Sequence, residues 1–335
     1  MERSLNKLGS LVSTLETGAC GYSFSSGKAA ISTVLELVES GAHIIASANP
    51  NSHAYKIFES VRRRTSGLSF TYLHNFTPDT LKAAVKENTR LIWVESIVRP
   101  LFTMPNLELI ADFSKANDLI SVCDNTLATP YLLKPIQLGF DIVVYDAVGY
   151  LSGGTDIDGG CAVVAKDREF IQEKLGFLQS TIGTTLSANE QEQLCIALGT
   201  MKIRIDQQSK NAVSIAKFLE RHERVEKVYY LGLEANSHHA YGNEKLTKFG
   251  GAFSVTFFDD INVAPGFQKK LNLFAISETI GGPLSAIWHP SSEIYYAVPD
   301  EIKKHLDAED EFFQFSIGME DTDDLIADLD QALIN

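Results

Sequence analysis

Asp124-Asn125-Thr126-Leu127-Ala128-Thr129-Pro130-Tyr131 leads, after a short connection, into Leu138-Gly139-Phe140-Asp141-Ile142-Val143-Val144-Tyr145-Asp146-Ala147-Val148-Gly149-Tyr150-Leu151-Ser152-Gly153-Gly154. Two short apolar runs frame this stretch. Ile120 to Cys123 and Ile142 to Tyr145 each read as a buried strand, with a short helix expected at Ile136 to Leu138. Each run is followed directly by an aspartate, Asp124 or Asp146. Asp124 reads as a strand-end residue that orders the Asn125-Thr126 turn. Polar groups just past strand C-termini are where open α/β sheets bind ligands.

Working outward, short apolar runs alternate with amphipathic stretches. Leu5, Leu8, Leu11, Val12 and Leu15 give Ser4 to Leu15 helical spacing. Strands are expected at Ala19 to Phe24, Ala42 to Ala46, Ser69 to Leu73 and Leu91 to Glu95. Helices are expected at Lys28 to Val38, Tyr55 to Arg64, Thr80 to Lys86 and Leu107 to Asn117, with Thr77 as an N-cap ahead of Pro78. This alternation predicts a mostly parallel sheet covered on both faces. A return strand is expected from Gly160 to Ala165. Helices then dominate, with Glu190 to Thr200 and Lys210 to His222 the clearest. Further strands are expected at Val225 to Tyr230, Ala252 to Phe258 and Phe312 to Ile317. Val263 to Phe274 and Asp321 to Leu333 read as helices. The expected organisation is a large α/β domain over 1–205 and a smaller α+β domain over 206–335.

The 335-residue chain has 44% hydrophobic and 21% charged residues, the range of an ordinary globular protein. A net charge of −14 argues against nucleic-acid binding, which needs a basic footprint. No apolar run reaches the length of a membrane span, and the N-terminus shows no signal-peptide core. Cys20, Cys123, Cys161 and Cys195 are widely spaced, with neither zinc-ligand spacing nor a disulfide framework. Free thiols in a cytoplasmic protein, without a metal, are the simplest expectation.

The opening stretch resembles the cofactor segment of the Cys/Met-metabolism (transsulfuration) family of pyridoxal-phosphate (PLP) enzymes. This family includes cystathionine γ-synthase, the cystathionine lyases and methionine γ-lyase. Its pattern reads D-N-T-F-A-T-P-Y, then L-G-A-D-I-V-x-H-S-A-T-K-Y-L-G-G-H. Ser25-Ser26-Gly27-Lys28-Ala29-Ala30 resembles the family's S-S-G-M-A-A, Glu95 to Pro100 its E-T-P-S-N-P, and Phe312 to Leu329 its terminal R-L-S-V-G-I-E-D-x-x-D-L. The resemblance implies the fold-type-I architecture of the aspartate-aminotransferase kind. It also implies a homodimer or homotetramer. The family carries some tens of residues ahead of the position matching Met1, including a stretch that reaches a neighbour's cofactor phosphate.

The same resemblance assigns roles to positions. Asp124 matches the carboxylate on the PLP ring nitrogen. Ser26, Gly27, Lys28 and Thr126 fall in the segments around the cofactor, and a glycine turn opening a helix presents N–H groups to an anion. The Schiff-base lysine falls at Gly149, which has no side chain to act as base or nucleophile. The stacking tyrosine falls at Asn51, and the serine and threonine of S-A-T-K fall at Asp146 and Val148. The asparagine of E-T-P-S-N-P falls at Arg99, and the arginine for the substrate carboxylate falls at Gln314. Asp146 would set a negative charge beside a phosphate dianion. Two unit charges ~4 Å apart at an effective dielectric near 20 repel by roughly 4 kcal/mol.

These departures predict a remodelled cleft around Asn51, His53, Arg99, Asp146 and Gln314. No residue is assigned a confident catalytic role, and PLP is expected, if at all, only noncovalently. His53 with Asp146 offers an acid/base pair, set against a polar cleft of mutually satisfied charges that also gathers Glu95, Asp156 and Asp158. His238-His239 is expected in a solvated loop, and His289 as inherited structure. The expected role is a binding, regulatory or partner subunit, with an active paralogue as a possible partner. The alternative is an enzyme of sulfur amino-acid metabolism, or altered chemistry in the same cleft with noncovalent PLP or another ligand.

Overall fold

In the computed structural model, residues 6–49, 52–258, 264–290 and 312–334 are described. The chain divides into two compact units. The larger comprises Met1–Ile97 and Met104–Gly199, and the smaller Val98–Thr103 and Thr200–Asn335.

The larger unit is built on a seven-stranded sheet of order β1-β7-β6-β5-β4-β2-β3. Its strands are β1 (Cys20–Phe24), β2 (His43–Ser47), β3 (Ser69–Leu73), β4 (Thr89–Glu95), β5 (Ile120–Asp124), β6 (Ile142–Asp146) and β7 (Gly160–Val164). β6-β5-β4-β2-β3 run parallel, and β7 lies antiparallel between β1 and β6. β7 is the return strand expected from Gly160. Strands covered on both faces lose the polar/apolar alternation of a half-exposed sheet. β2 is accordingly buried throughout, even at its polar ends. His43 there is held between Thr89 Oγ1 and Thr71 Oγ1, each at 2.8 Å, and burial pushes its imidazole down to about 4.

The helices of this unit begin where side chains can satisfy free backbone N–H groups. Ser26 accepts from the Ala29 N–H to open α2 (Gly27–Val34), and Ser52 accepts from that of Tyr55 to open α3 (His53–Ile57). Thr77 caps α5 (Pro78–Ala84) as expected, in a reciprocal box with Thr80. The helix expected from Tyr55 to Arg64 starts earlier, at His53, and passes through a π-type segment, Phe58–Arg62, before α4 (Arg63–Thr65). Phe58, on that segment, stacks on Phe70 at 4.8 Å and meets Trp93 edge-on at 5.5 Å, so the irregular turn is seated in the core. The unit is completed by α1 (Lys7–Glu16), α6 (Leu107–Ala116), α7 (Thr129–Leu132), α8 (Glu169–Ile182) and α9 (Ala188–Leu198).

The smaller unit contains α10 (Met201–Leu219), β8 (Val225–Tyr229), α11 (His239–Lys245), β9 (Ala252–Phe257), α12 (Ala264–Lys270), β10 (Ala275–Ile276), β11 (Ala286–Trp288), β12 (Phe313–Ser316) and α13 (Thr322–Ile334). Its five strands form a sheet of order β10-β11-β12-β9-β8. Phe253, Val255, Phe313 and Phe315 point to one face, where they join α10 and α13 in an apolar core. The helix expected at Lys210 to His222 is longer and starts at Met201. β10 and β11 were not expected from the sequence. At two and three residues they are too short to show periodicity.

Candidate functional site

β5 and β6 are neighbours, and Asp124 and Asp146 are their last residues. A single hydroxyl joins the two strand ends. Thr126 Oγ1 donates to Asp124 Oδ1 at 2.6 Å and accepts the Asp146 N–H at 2.9 Å. The Thr126 N–H also donates to Asp124 Oδ1, at 3.1 Å. Asp124 therefore orders the Asn125-Thr126 turn, as its position suggested. Burial is the main cause holding the Asp124 carboxyl above its ordinary value. The negative charge of Asp146 adds to this, and the bonds from Thr126 oppose it.

Asp146 is held from three sides. Its Oδ1 accepts the Val148 N–H at 3.0 Å, and its Oδ2 lies 3.3 Å from His53 Nδ1. The carboxyl group also packs on the backbone of Gly27. A Cβ at Gly27 would lie 2.5 Å from Asp146 Oδ2 and 2.6 Å from its Cγ. Gly160, paired with Asp146 across the sheet, presses on Ser26 and Gly27 in the same way: its Cβ would lie 2.7 Å from Gly27 Cα. The turn that opens α2 is thus wedged between Gly160 and a carboxylate. The Ser26 hydroxyl is engaged as the cap of Ala29, at 3.0 Å. The His53–Asp146 pairing anticipated from sequence forms, while Lys28, Lys56, Asp156 and Asp158 are exposed. Asn51 lies outside the described residues.

Gly149 follows β6 in a tight turn. Its N–H donates to Ser152 Oγ at 3.1 Å, and its carbonyl accepts the Gly153 N–H at 2.9 Å. Its φ is 92°, in the region that glycine enters freely and side chains resist. The glycine here is therefore a backbone requirement of the turn as well as the loss of a side chain.

Beneath these strand ends lies a buried group that sequence reasoning missed. Glu16, at the end of α1, is fully buried, and its Oε1 accepts from Tyr145 Oη. Asn125 Nδ2 donates to Tyr145 Oη at 3.0 Å and to the Leu133 carbonyl at 3.0 Å. Glu16 Oε2 and Asn125 Oδ1 are buried without a partner among the described residues. Burial pushes the Glu16 carboxyl up to about 8, against the hydrogen bond from Tyr145. The signal was present in the helix spacing. Glu16 follows Leu8 and Val12 at intervals of four, on the buried stripe of α1.

In the smaller unit, Arg99 and Gln314 are brought together. Arg99 Nη1 donates to Gln314 Oε1 at 3.3 Å. Two positions that read as separate losses in the sequence are bonded to each other, a contact that their separation of 215 residues concealed. The histidine expectations divide. His289 is buried, its ring centroid 4.7 Å from that of Phe313, in keeping with a structural role. His239 is not a solvated loop residue. It opens α11, its Nδ1 bonds the Leu231 carbonyl at 2.6 Å, and its ring stacks on Phe249 at 5.3 Å. Among the described residues no cluster of His, Cys, Asp or Glu could hold a metal, and no helix is long and apolar enough to cross a membrane. The four cysteines are free thiols, with Cys123 and Cys161 buried.

The model of the Cys/Met metabolism PLP-dependent enzymes matches residues 3–334. The chain belongs to this family. It is 36% identical to a cystathionine β-lyase of Coxiella burnetii over 322 residues, which is 96% of this chain and 83% of that protein. It is 34% identical to a cystathionine γ-lyase of Bacillus subtilis over 98% of this chain and 86% of that one. Among solved structures it resembles the cystathionine γ-lyase of Lactobacillus plantarum complexed with L-serine, with a TM-score of 0.93, 32% identity, and coverage of 98% and 85%. The fold is that of the family, α/β with a mostly parallel central sheet, and the family is PLP-dependent.

Proposed function

We propose that this chain is a transsulfuration-family protein that does not hold PLP covalently, and that it serves as a ligand-binding or partner subunit in sulfur amino-acid metabolism. The observation that carries this reading is the Asp146–Gly27 contact beside a side-chain-free Gly149. A covalently held PLP needs an amine at the turn after β6, and that turn has none. Its phosphate needs donors at the opening of α2, and a carboxylate already packs there, adding repulsion of roughly 4 kcal/mol at ~4 Å separation. The residues present do not fit the cofactor in its covalent form. Lys28 and Lys56 are exposed. We place the chain in the cytoplasm as a homodimer or homotetramer, with an active paralogue as a candidate partner.

The test is spectroscopic and catalytic. The protein, titrated with PLP, should give no visible band that survives gel filtration, and it should not cleave cystathionine. A stoichiometric band retained after gel filtration would overturn the reading.

A second reading is supported by identities of 34–36% to cystathionine lyases over nearly the whole chain. On this reading the protein is an enzyme of sulfur amino-acid metabolism that works in the same site with noncovalent PLP or another ligand. Turnover of cystathionine or a related thioether that depends on added PLP, without a retained band, distinguishes it from the first.

A further inference from the structure

Glu16 is an acid in a poor place for a charge. It is fully buried, and it ends α1, where the helix dipole is negative and no basic residue stands in the last turn. One carboxyl oxygen is bonded to Tyr145 Oη, and the other has no partner among the described residues. A carboxylate held in this way bears an uncompensated desolvation cost, so the resting state is the neutral acid. The charged and titratable groups that face it are Lys134, just ahead of the turn Pro135–Leu138, Cys123 of β5 and Tyr145 of β6. The positive charge of Lys134 favours ionisation, and burial outweighs it. Other elements also pack on α1. α9 commits Glu192 to Lys7 and Glu190 to Ser187, and β1 turns Cys20 to Tyr22. Cys161 of β7 lies toward Cys195 of α9, and α7 carries the half-buried Tyr131.

The groups around this acid lead directly to the strand ends. Asn125 Nδ2 donates to the same Tyr145 Oη at 3.0 Å. Tyr145 immediately precedes Asp146, and Asn125 immediately follows Asp124. The Asn125 N–H also ties β5 to β6, donating to the Val144 carbonyl at 3.0 Å. Thr126 then joins Asp124 to Asp146. Hydrogen bonds and one peptide link thus connect the buried acid to Asp146, which rests on Gly27 and pairs with His53. Tyr145 is 1% exposed and Asn125 fully buried, so there is little slack around the carboxyl group. Ionisation calls for water or a new donor at Oε2, and admitting either displaces Tyr145 or the end of α1.

We infer that Glu16 is a proton-operated brace for the strand-end site: holding its proton it locks α1 to β5 and β6, and losing it releases Asp146 from Gly27 and His53. This goes beyond the function proposed above and does not depend on it, since it concerns how the site is held and not what the site receives.

The test is amide hydrogen exchange of the full chain, read as protection factors from about pH 6 to about pH 9, with circular dichroism over the same range. Asp146 and Val148 are the reporters, because their N–H groups donate to Thr126 Oγ1 and Asp146 Oδ1. The amides of β9, in the smaller unit, are the internal reference. Burial pushes the Glu16 carboxyl up to about 8. Both reporters should lose protection about tenfold above that pH, while β9 and the dichroism stay constant. In Glu16→Gln, which cannot ionise, the reporters should keep their protection throughout. Tyr145→Phe removes a hydroxyl that favours the charged form, so the loss should move to higher pH. Constant protection of the reporters in the wild-type protein, or an equal loss in Glu16→Gln, would overturn the inference. So would a loss shared by β9 and the dichroism, which is global unfolding, or a loss that stays at the same pH in Tyr145→Phe.

Discussion

The Asp146 carboxyl group rests on the α-carbon of Gly27, so closely that a methyl group there would lie 2.5 Å from Asp146 Oδ2. The opening of α2 therefore has a resident anion supplied by the chain itself, tied also to His53 and to the Val148 N–H. Gly27→Ala forces that carboxyl out of position. Overpacking of a fitted contact typically costs about 1–3 kcal/mol. A loss of unfolding free energy of that size in urea titration is expected, together with loss of the Asp146–His53 contact in the nuclear magnetic resonance spectrum of the imidazole. Unchanged stability and an unshifted His53 signal would show that the contact is loose.

Restoring the lysine should not restore the family's cofactor attachment. At a φ of 92°, Gly149→Lys places a side chain in strained backbone, at a cost of about 1–2 kcal/mol. Asp146 still opposes the phosphate. The single variant is expected to be less stable and to retain no PLP band after gel filtration. Adding Asp146→Ser should increase PLP retention, because the repulsive charge is then removed. A strong retained band in Gly149→Lys alone would mean that the turn and the charge matter less than the missing amine.

Glu16 makes stability fall as pH rises. Its folded-state value of about 8 lies above the ordinary carboxylate value, so the folded protein holds a proton that the unfolded chain releases. The stabilisation is fully present below the unfolded value, near pH 4.5, and is lost as pH rises through about 8. The shift corresponds to something on the order of 3–5 kcal/mol across that window. Glu16→Gln keeps the shape and removes the titration. Urea midpoints at pH 5 and pH 8.5 should differ clearly in the wild type and much less in the variant. Parallel pH dependence in both proteins would exclude Glu16 as the source.

Phe58 anchors the π-type segment between Phe70 and Trp93, and it is 2% exposed. Phe58→Ala should cost about 3–5 kcal/mol, as aromatic truncation in a packed core does. Phe58→Leu, closer in volume, should cost clearly less. If the two variants melt together, apolar bulk does not substitute for the ring, and the volume argument fails.

The strands that carry the site were legible because burial on both faces writes itself as short apolar runs, as in Ile142 to Val144. The turn at Asp124 was legible because a short carboxylate next to a hydroxyl two residues on bonds locally. Thr77 announced its helix through the proline that follows it. The Arg99–Gln314 pair was not legible, since it meets through strand register and chain crossing rather than through spacing. Glu16 was half-visible. Its position on an apolar stripe marked it, but the tyrosine that receives it lies 129 residues away.

The sequence by itself determined the family, the parallel sheet and the absence of an amine at position 149, because composition, periodicity and ordered motifs are local properties of a chain. Only the tertiary structure decided that Asp146 sits on Gly27, that Glu16 is buried against Tyr145, and that Arg99 stands beside Gln314. These depend on which strand lies next to which, and the free energy of such contacts comes from desolvation and geometry that no linear pattern records.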